Sequence, residues 1–218
     1  MEKHRIGLFH CGMEAPDLVV ELVKFHKEIE YIKLQEYQPH VLGITEELKQ
    51  KPEVPVKNLI RHHPDAGEYS IRLKSTDVTV EKIISLIDKS AKREEGKRAL
   101  VLCSRVETRD DEVLHIPMLD FECSVSPENL IKVSQFIEET NSRGLILESG
   151  RSYHFYGLDL LSPEKWAQFM FRAGLFTGFT DSRHIYHRLL SHEARLRLAK
   201  IEGSDRYLMT PRVVSIVQ

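Results

Sequence analysis

Apolar residues at Leu18, Val19, Leu22, Phe25 and Ile29 recur at helical spacing. They predict an amphipathic helix from Ala15 to about Tyr31, preceded by a strand-like run from Arg5 to Cys11. Between residues 32 and 70, Pro39, Pro52, Pro55 and Pro64 interrupt every long period, and only Val56 to Ile60 reads as a short strand. Periodicity returns with a strand at Tyr69 to Leu73 and a helix from Val78 to about Arg93. The basic end of that helix, Lys89, Lys92 and Arg93, suits the negative pole of the helix dipole. Two further runs of strand length, Arg98 to Glu107 and Val113 to Cys123, flank the polar turn Thr108-Arg109-Asp110-Asp111-Glu112 and are expected to pair as a hairpin.

Ser126-Pro127-Glu128 and Ser162-Pro163-Glu164 share one helix-start chemistry: a capping hydroxyl, a proline that needs no amide partner, and an acid in the first turn. The first opens a helix whose stripe is Leu130, Ile131, Val133, Phe136 and Ile137; the second opens one running through Phe176. Strands are expected at Gly144 to Ser149, Ser152 to Leu161, Ala194 to Ile201 and Val213 to Val217, with a third helix following Asp181. The fold class is therefore α+β, with a mixed, largely antiparallel sheet and packed helices. One compact bilobed unit is expected, residues 1–97 forming an N-terminal αβ portion that completes or flanks the core, and residues 98–218 carrying the candidate chemistry.

Composition narrows the class. At 218 residues, 41% hydrophobic and 29% charged, the chain can bury a core without disulfides or a structural metal. No apolar run reaches the roughly 18 residues of a membrane span, and Met1-Glu2-Lys3-His4-Arg5 lacks the apolar core of a secretory signal, so a cytoplasmic protein without a membrane partner is expected. Cys11, Cys103 and Cys123 are too far apart for a zinc ribbon and odd in number, and read as buried thiols. A net charge of −2 gives no general grip on phosphate, so any nucleic acid must be held by a local patch.

The candidate chemistry lies in the second half. In Pro117-Met118-Leu119-Asp120-Phe121-Glu122-Cys123, strand alternation sends Asp120 and Glu122 to one face and Leu119, Phe121 and Cys123 to the other. Two carboxylates side by side repel unless a cation lies between them, and hard ions such as Mg²⁺ or Mn²⁺ take such oxygen ligands; the plainer reading is a solvated edge strand. Glu148-Ser149-Gly150-Arg151-Ser152-Tyr153-His154 joins two strands by a glycine turn with serine, arginine and histidine donors for an anion, or is an ordinary hairpin loop. Tyr156 shares the face of His154 and is the candidate to stack a base, while Phe155 and Trp166 read as core. Asp181 precedes a basic run continuing to Arg195, Arg197 and Lys200; it is either a site acid or a helix cap. His184 and His187 have the spacing of a zinc pair but nothing at matching spacing completes a set.

The order of these motifs, over about residues 116–200, resembles the archaeo-eukaryotic primase and primase-polymerase superfamily. The resemblance implies an RNA-recognition-like palm and a metal-dependent nucleotidyltransferase that joins nucleoside triphosphates to a 3′-hydroxyl in DNA replication or repair. Asp120, Glu122 and Asp181 would be the catalytic acids and ligands of Mg²⁺ or Mn²⁺. Ser149, Gly150, Arg151, His154 and Tyr156 would meet the nucleotide, with Arg197 and Lys200 as further contacts. The partners implied are a nucleoside triphosphate and single-stranded or primed nucleic acid. The loop from Ser149 to His154 is shorter than the family's S-G-x-x-G-x-H form, which motivates the alternative of a binding module without turnover. A metal-dependent phosphohydrolase or nuclease uses the same residue types and is a third reading.

Overall fold

The computed structural model describes residues 6–37, 69–93, 98–176, 178–201 and 208–218. Among them are five α-helices and two antiparallel sheets. The chain runs α1 (Ala15–Phe25), β1 (Ile29–Tyr37), β2 (Ser70–Lys74), α2 (Val80–Ala91), β3 (Ala99–Thr108), β4 (Val113–His115) and β5 (Met118–Asp120). It continues with α3 (Pro127–Glu139), β6 (Gly144–Glu148), β7 (Tyr153–Gly157), α4 (Pro163–Leu175), α5 (Ser182–Ser191), β8 (Arg195–Arg197) and β9 (Arg212–Val217). The α+β class with antiparallel pairing is as the pattern indicates.

The first sheet has the order β2-β1-β3-β4, with β8 also pairing β3; the second is β5-β7-β6-β9. Strands from both sides of the expected boundary at residue 97 thus share one sheet. Helix starts follow the sequence chemistry: the hydroxyls of Ser126 and Ser162 accept from the amides of Asn129 and Lys165, at 3.1 and 3.4 Å. Buried apolar residues of both sheets and all five helices form a single cluster, in which Phe121 meets Phe136 of α3 and Phe155 meets Phe169 of α4.

Five local expectations are corrected. Ile6–Leu8 is a 3₁₀ turn, not part of a strand. Helix α1 ends at Phe25, because from Ile29 the chain changes to a period of two: Ile32 and Leu34 are buried while Tyr31 and Lys33 are half-buried. The extended helical stripe was misread through Ile29, which belongs to β1. The run from Val113 to Cys123 is not one strand, since Ile116 and Pro117 carry the chain from β4 in the first sheet to β5 in the second. The Ile116 amide still donates to Ser104 of β3, whereas the Pro117 carbonyl already accepts from Gly157 of β7, both at 2.8 Å. Gly157 is required there, as a Cβ would lie 2.7 Å from the Pro117 ring. The strands expected at Ser152–Leu161 and Ala194–Ile201 are shorter, Tyr153–Gly157 and Arg195–Arg197. The expected strand at Val56–Ile60 lies outside the described residues.

Candidate functional site

Along β5 and the three residues after it, Leu119, Phe121 and Cys123 are buried, while on the other face Met118 is buried, Asp120 half-buried and Glu122 exposed. Its register with β7 sets Asp120 directly opposite His154. The Oδ1 of Asp120 lies 3.6 Å from Nε2 of His154, a close electrostatic contact but too long for a strong hydrogen bond. Burial, with the positive charge of Arg197 nearby, holds the His154 imidazole well below its ordinary pKa, so the ring is neutral at pH 7. Its Nδ1 is buried and has no hydrogen-bond partner among the described residues.

On the other side of β5, Phe121 bridges Thr180, the Glu122 amide donates to Phe179 at 2.7 Å, and the Asp181 amide donates to Asp120 at 3.4 Å. The backbone of Asp181 therefore runs beside that of Asp120. Its carboxylate, however, caps α5, Oδ1 accepting from the His184 amide at 3.0 Å. The expected helix-opening role of Asp181 is what the geometry displays.

The turn between β6 and β7 closes on itself. The Ser149 amide and hydroxyl both donate to the Ser152 carbonyl, at 2.9 and 3.1 Å, and Gly150 has φ +108°, which favours glycine. Arg151 is exposed at its tip. Arg197 of β8 is buried and donates to the carbonyls of Ala199 at 2.9 Å, Met209 at 2.7 Å and Ser149. Its guanidinium thereby pins the turn to the first sheet. Lys200, just past β8, is exposed.

Tyr156 lies on the face of His154 and is fully buried, its hydroxyl without a hydrogen-bond partner among the described residues and pushed upward in pKa by burial. Among the described residues no three His, Cys, Asp or Glu side chains converge as a metal cage.

Asp120 and His154 open into a cleft of about 100 Å³ walled by Arg195 and Arg197 from β8 and by His184 and Arg188 from α5. Arg188 and His184 were not among the expected nucleotide contacts, and Arg195 was expected only as part of the basic run. One signal was available: His184 and Arg188 are four apart and share a helix face, and Arg195 alternates with Arg197. A carboxylate set among arginines suits an anion that brings its own cation. Mg²⁺ commonly takes one or two carboxylates and completes its shell with water and substrate phosphate, so Asp120, with Glu122 two residues on, has the donor chemistry for such an ion without a protein cage.

A family model described as archaeo-eukaryotic primase 1D-like matches residues 81–211, a span that contains every one of these side chains. No curated protein and no solved structure matches the chain.

Proposed function

The chain belongs to the archaeo-eukaryotic primase-like family, and from that premise we propose that it is a metal-dependent nucleotidyltransferase of primase-polymerase type, joining a nucleoside triphosphate to a 3′-hydroxyl with release of pyrophosphate. The observation that carries the reading is the cross-strand pair Asp120–His154 at the mouth of an arginine-lined cleft. Asp120 and Glu122, with Asp181 once its cap is released, would hold a Mg²⁺ or Mn²⁺ ion, which would supply positive charge to offset that of the reacting triphosphate.

The remaining work falls to side chains of the cleft. Arg188 and Arg195 draw the triphosphate in and offset its charge. His154, neutral and held by burial, offers a ring N–H to a phosphate oxygen without adding a full positive charge beside Asp120. Arg151, exposed at the turn tip, is assigned to the outer phosphates, and Arg197 serves by fixing that turn. Lys200 is a further contact at the rim.

A second reading, a nucleotide or nucleic-acid binding module without turnover, is favoured by the engagement of the Asp181 carboxylate in the cap of α5. Titration calorimetry with a non-hydrolysable nucleoside triphosphate, with and without Mn²⁺, on the wild type and Asp120→Asn tests the first reading. Metal-dependent binding that the variant loses, followed by primer extension by the wild type alone, supports the transferase. Binding without extension supports the module, and no binding in any condition sinks the transferase and leaves of the module only its nucleic-acid form.

A further inference from the structure

Past α5 the chain alternates again: Ala194, Leu196 and Leu198 join the core, and the positions between them are polar, Glu193, Arg195 and Arg197. The backbone of Glu193 is tied on both sides. Its amide donates to the Arg188 carbonyl at 3.1 Å, and its carbonyl accepts from the Ser191 hydroxyl at 3.1 Å. The next residue, Ala194, donates from its amide to the Ser104 hydroxyl at 2.9 Å and accepts at its carbonyl from the Ser104 amide at 2.8 Å.

The Glu193 side chain is only 4% exposed, and two cations meet its carboxylate. Arg195 donates through Nε to Oε1 at 3.0 Å, and Lys33 of β1 donates to both oxygens, at 3.2 and 3.1 Å. The two cations differ in what they face. Lys33 is 37% exposed, whereas Arg195 is 9% exposed and lines the cleft of Asp120. Across the sheet Arg195 stands opposite Cys103, a buried thiol that burial keeps protonated, so β3 gives it no charged acceptor there. A carboxylate beside an arginine of an anion site weakens the pull of that site on an anion. What it gives in exchange is geometry: a guanidinium already bonded at Nε has lost side-chain freedom that a ligand would otherwise have to remove.

Resting on the reading that the cleft takes a nucleoside triphosphate, we propose that Glu193 is the positioning residue of Arg195, touching no ligand itself and setting the guanidinium in the cleft before the triphosphate arrives. Lys33 holds the carboxylate from the β1 side, so that Glu193 presents Oε1 to Arg195 in one place.

Calorimetric titration of the full chain with the β,γ-imido analogue of adenosine triphosphate and Mn²⁺ tests the assignment. Glu193→Ala removes a negative charge, so a purely electrostatic role predicts tighter binding, whereas positioning predicts binding weakened roughly three- to tenfold. Glu193→Gln loses the same charge but keeps an oxygen for Nε, and is expected to bind at least about twice as tightly as the alanine variant. In an Arg195→Ala background, Glu193→Ala is expected to weaken binding no further, a coupling that general loss of structure would not produce. Circular dichroism checks each fold. A measurement on the wild type stands apart from whether Glu193→Ala folds: the Arg195 Nε–H proton resonance, identified by its absence from Arg195→Ala, is expected to exchange slowly with water before any ligand is added. Unchanged or tighter binding in Glu193→Ala, equal binding by the alanine and glutamine variants, additive weakening with Arg195→Ala, or fast exchange of that proton would each overturn the proposal. Binding that shows the coupling without primer extension sinks the transferase and keeps the role of Glu193, while no binding by the wild type sinks both.

Discussion

The guanidinium of Arg197 donates to the backbone carbonyl of Ser149, so a side chain of the first sheet sets the position of the turn beside His154 in the second. The same group satisfies the carbonyls of Ala199 and Met209. Arg197→Ala leaves three carbonyls short of a charged donor and is expected to cost about 3 kcal/mol, a fall in Tm of roughly 6–12 °C for a chain of this size. Arg197→Lys, which keeps the charge but not the fork, is expected to lose an intermediate amount. Urea denaturation of the three proteins checks the order; an alanine variant as stable as the wild type would show that the carbonyls find water instead.

Acid should loosen the fold before any carboxylate is protonated. His115 is buried, stacks on Trp166 with ring centroids 4.6 Å apart, and lies 3.1 Å from the Ser104 hydroxyl, which itself accepts from the Ala194 amide. Burial is the main cause that lowers its pKa to about 4, with the charge of Arg105 adding to it. The unfolded chain binds a proton near pH 6.5 and the folded one does not, so stability is full above pH 6.5 and declines as pH falls from 6.5 to about 4. The loss from His115 is at most about 3 kcal/mol. His154, also held neutral by burial, adds to the loss in the same direction. Denaturation midpoints measured from pH 7.5 to 4.5 are expected to fall steadily, and His115→Gln to show a shallower slope.

Tyr156 offers a test of opposite sign. Its buried hydroxyl has no partner, so Tyr156→Phe removes an unsatisfied polar group without opening a cavity and is expected to be neutral or to stabilise by up to about 1 kcal/mol. Nucleotide affinity should not change. A loss of affinity in Tyr156→Phe, measured by calorimetry, would restore the ligand contact that its burial denies.

The faces on which Asp120 and His154 lie were legible in the sequence, because strand alternation puts Asp120 with Glu122 and His154 with Tyr156; that β5 pairs β7 and sets Asp120 opposite His154 is a tertiary contact that the pattern does not fix. Strand β1 was hidden: Ile29 extends the helical stripe of α1 by one more turn, and the prolines that follow obscure the period of two. The break at Ile116-Pro117 was also missed, since both residues are apolar enough to continue a strand. Arg197 was expected to meet a ligand. Residue type announces a charge in search of an acceptor, but whether that acceptor is a phosphate or the carbonyl of Ser149 depends on contacts 48 positions apart.

The two-residue crossing at Ile116-Pro117 also bears on how the protein can yield. Strands β4 and β5 stand on either side of it and leave almost no slack between the sheets, and Arg197 braces the gap a second time. The walls from β5, β7 and β8 are held within the two sheets, whereas His184 and Arg188 stand on a helix, so α5 is the wall expected to give when a ligand enters. Displacing α5 would pull the His184 amide from the Asp181 carboxylate. Ligand entry and the freeing of the third acid would then be a single mechanical event, and faster amide exchange at His184 on adding nucleotide would report it, whereas an unchanged rate would mean that the sheets, not the helix, give way.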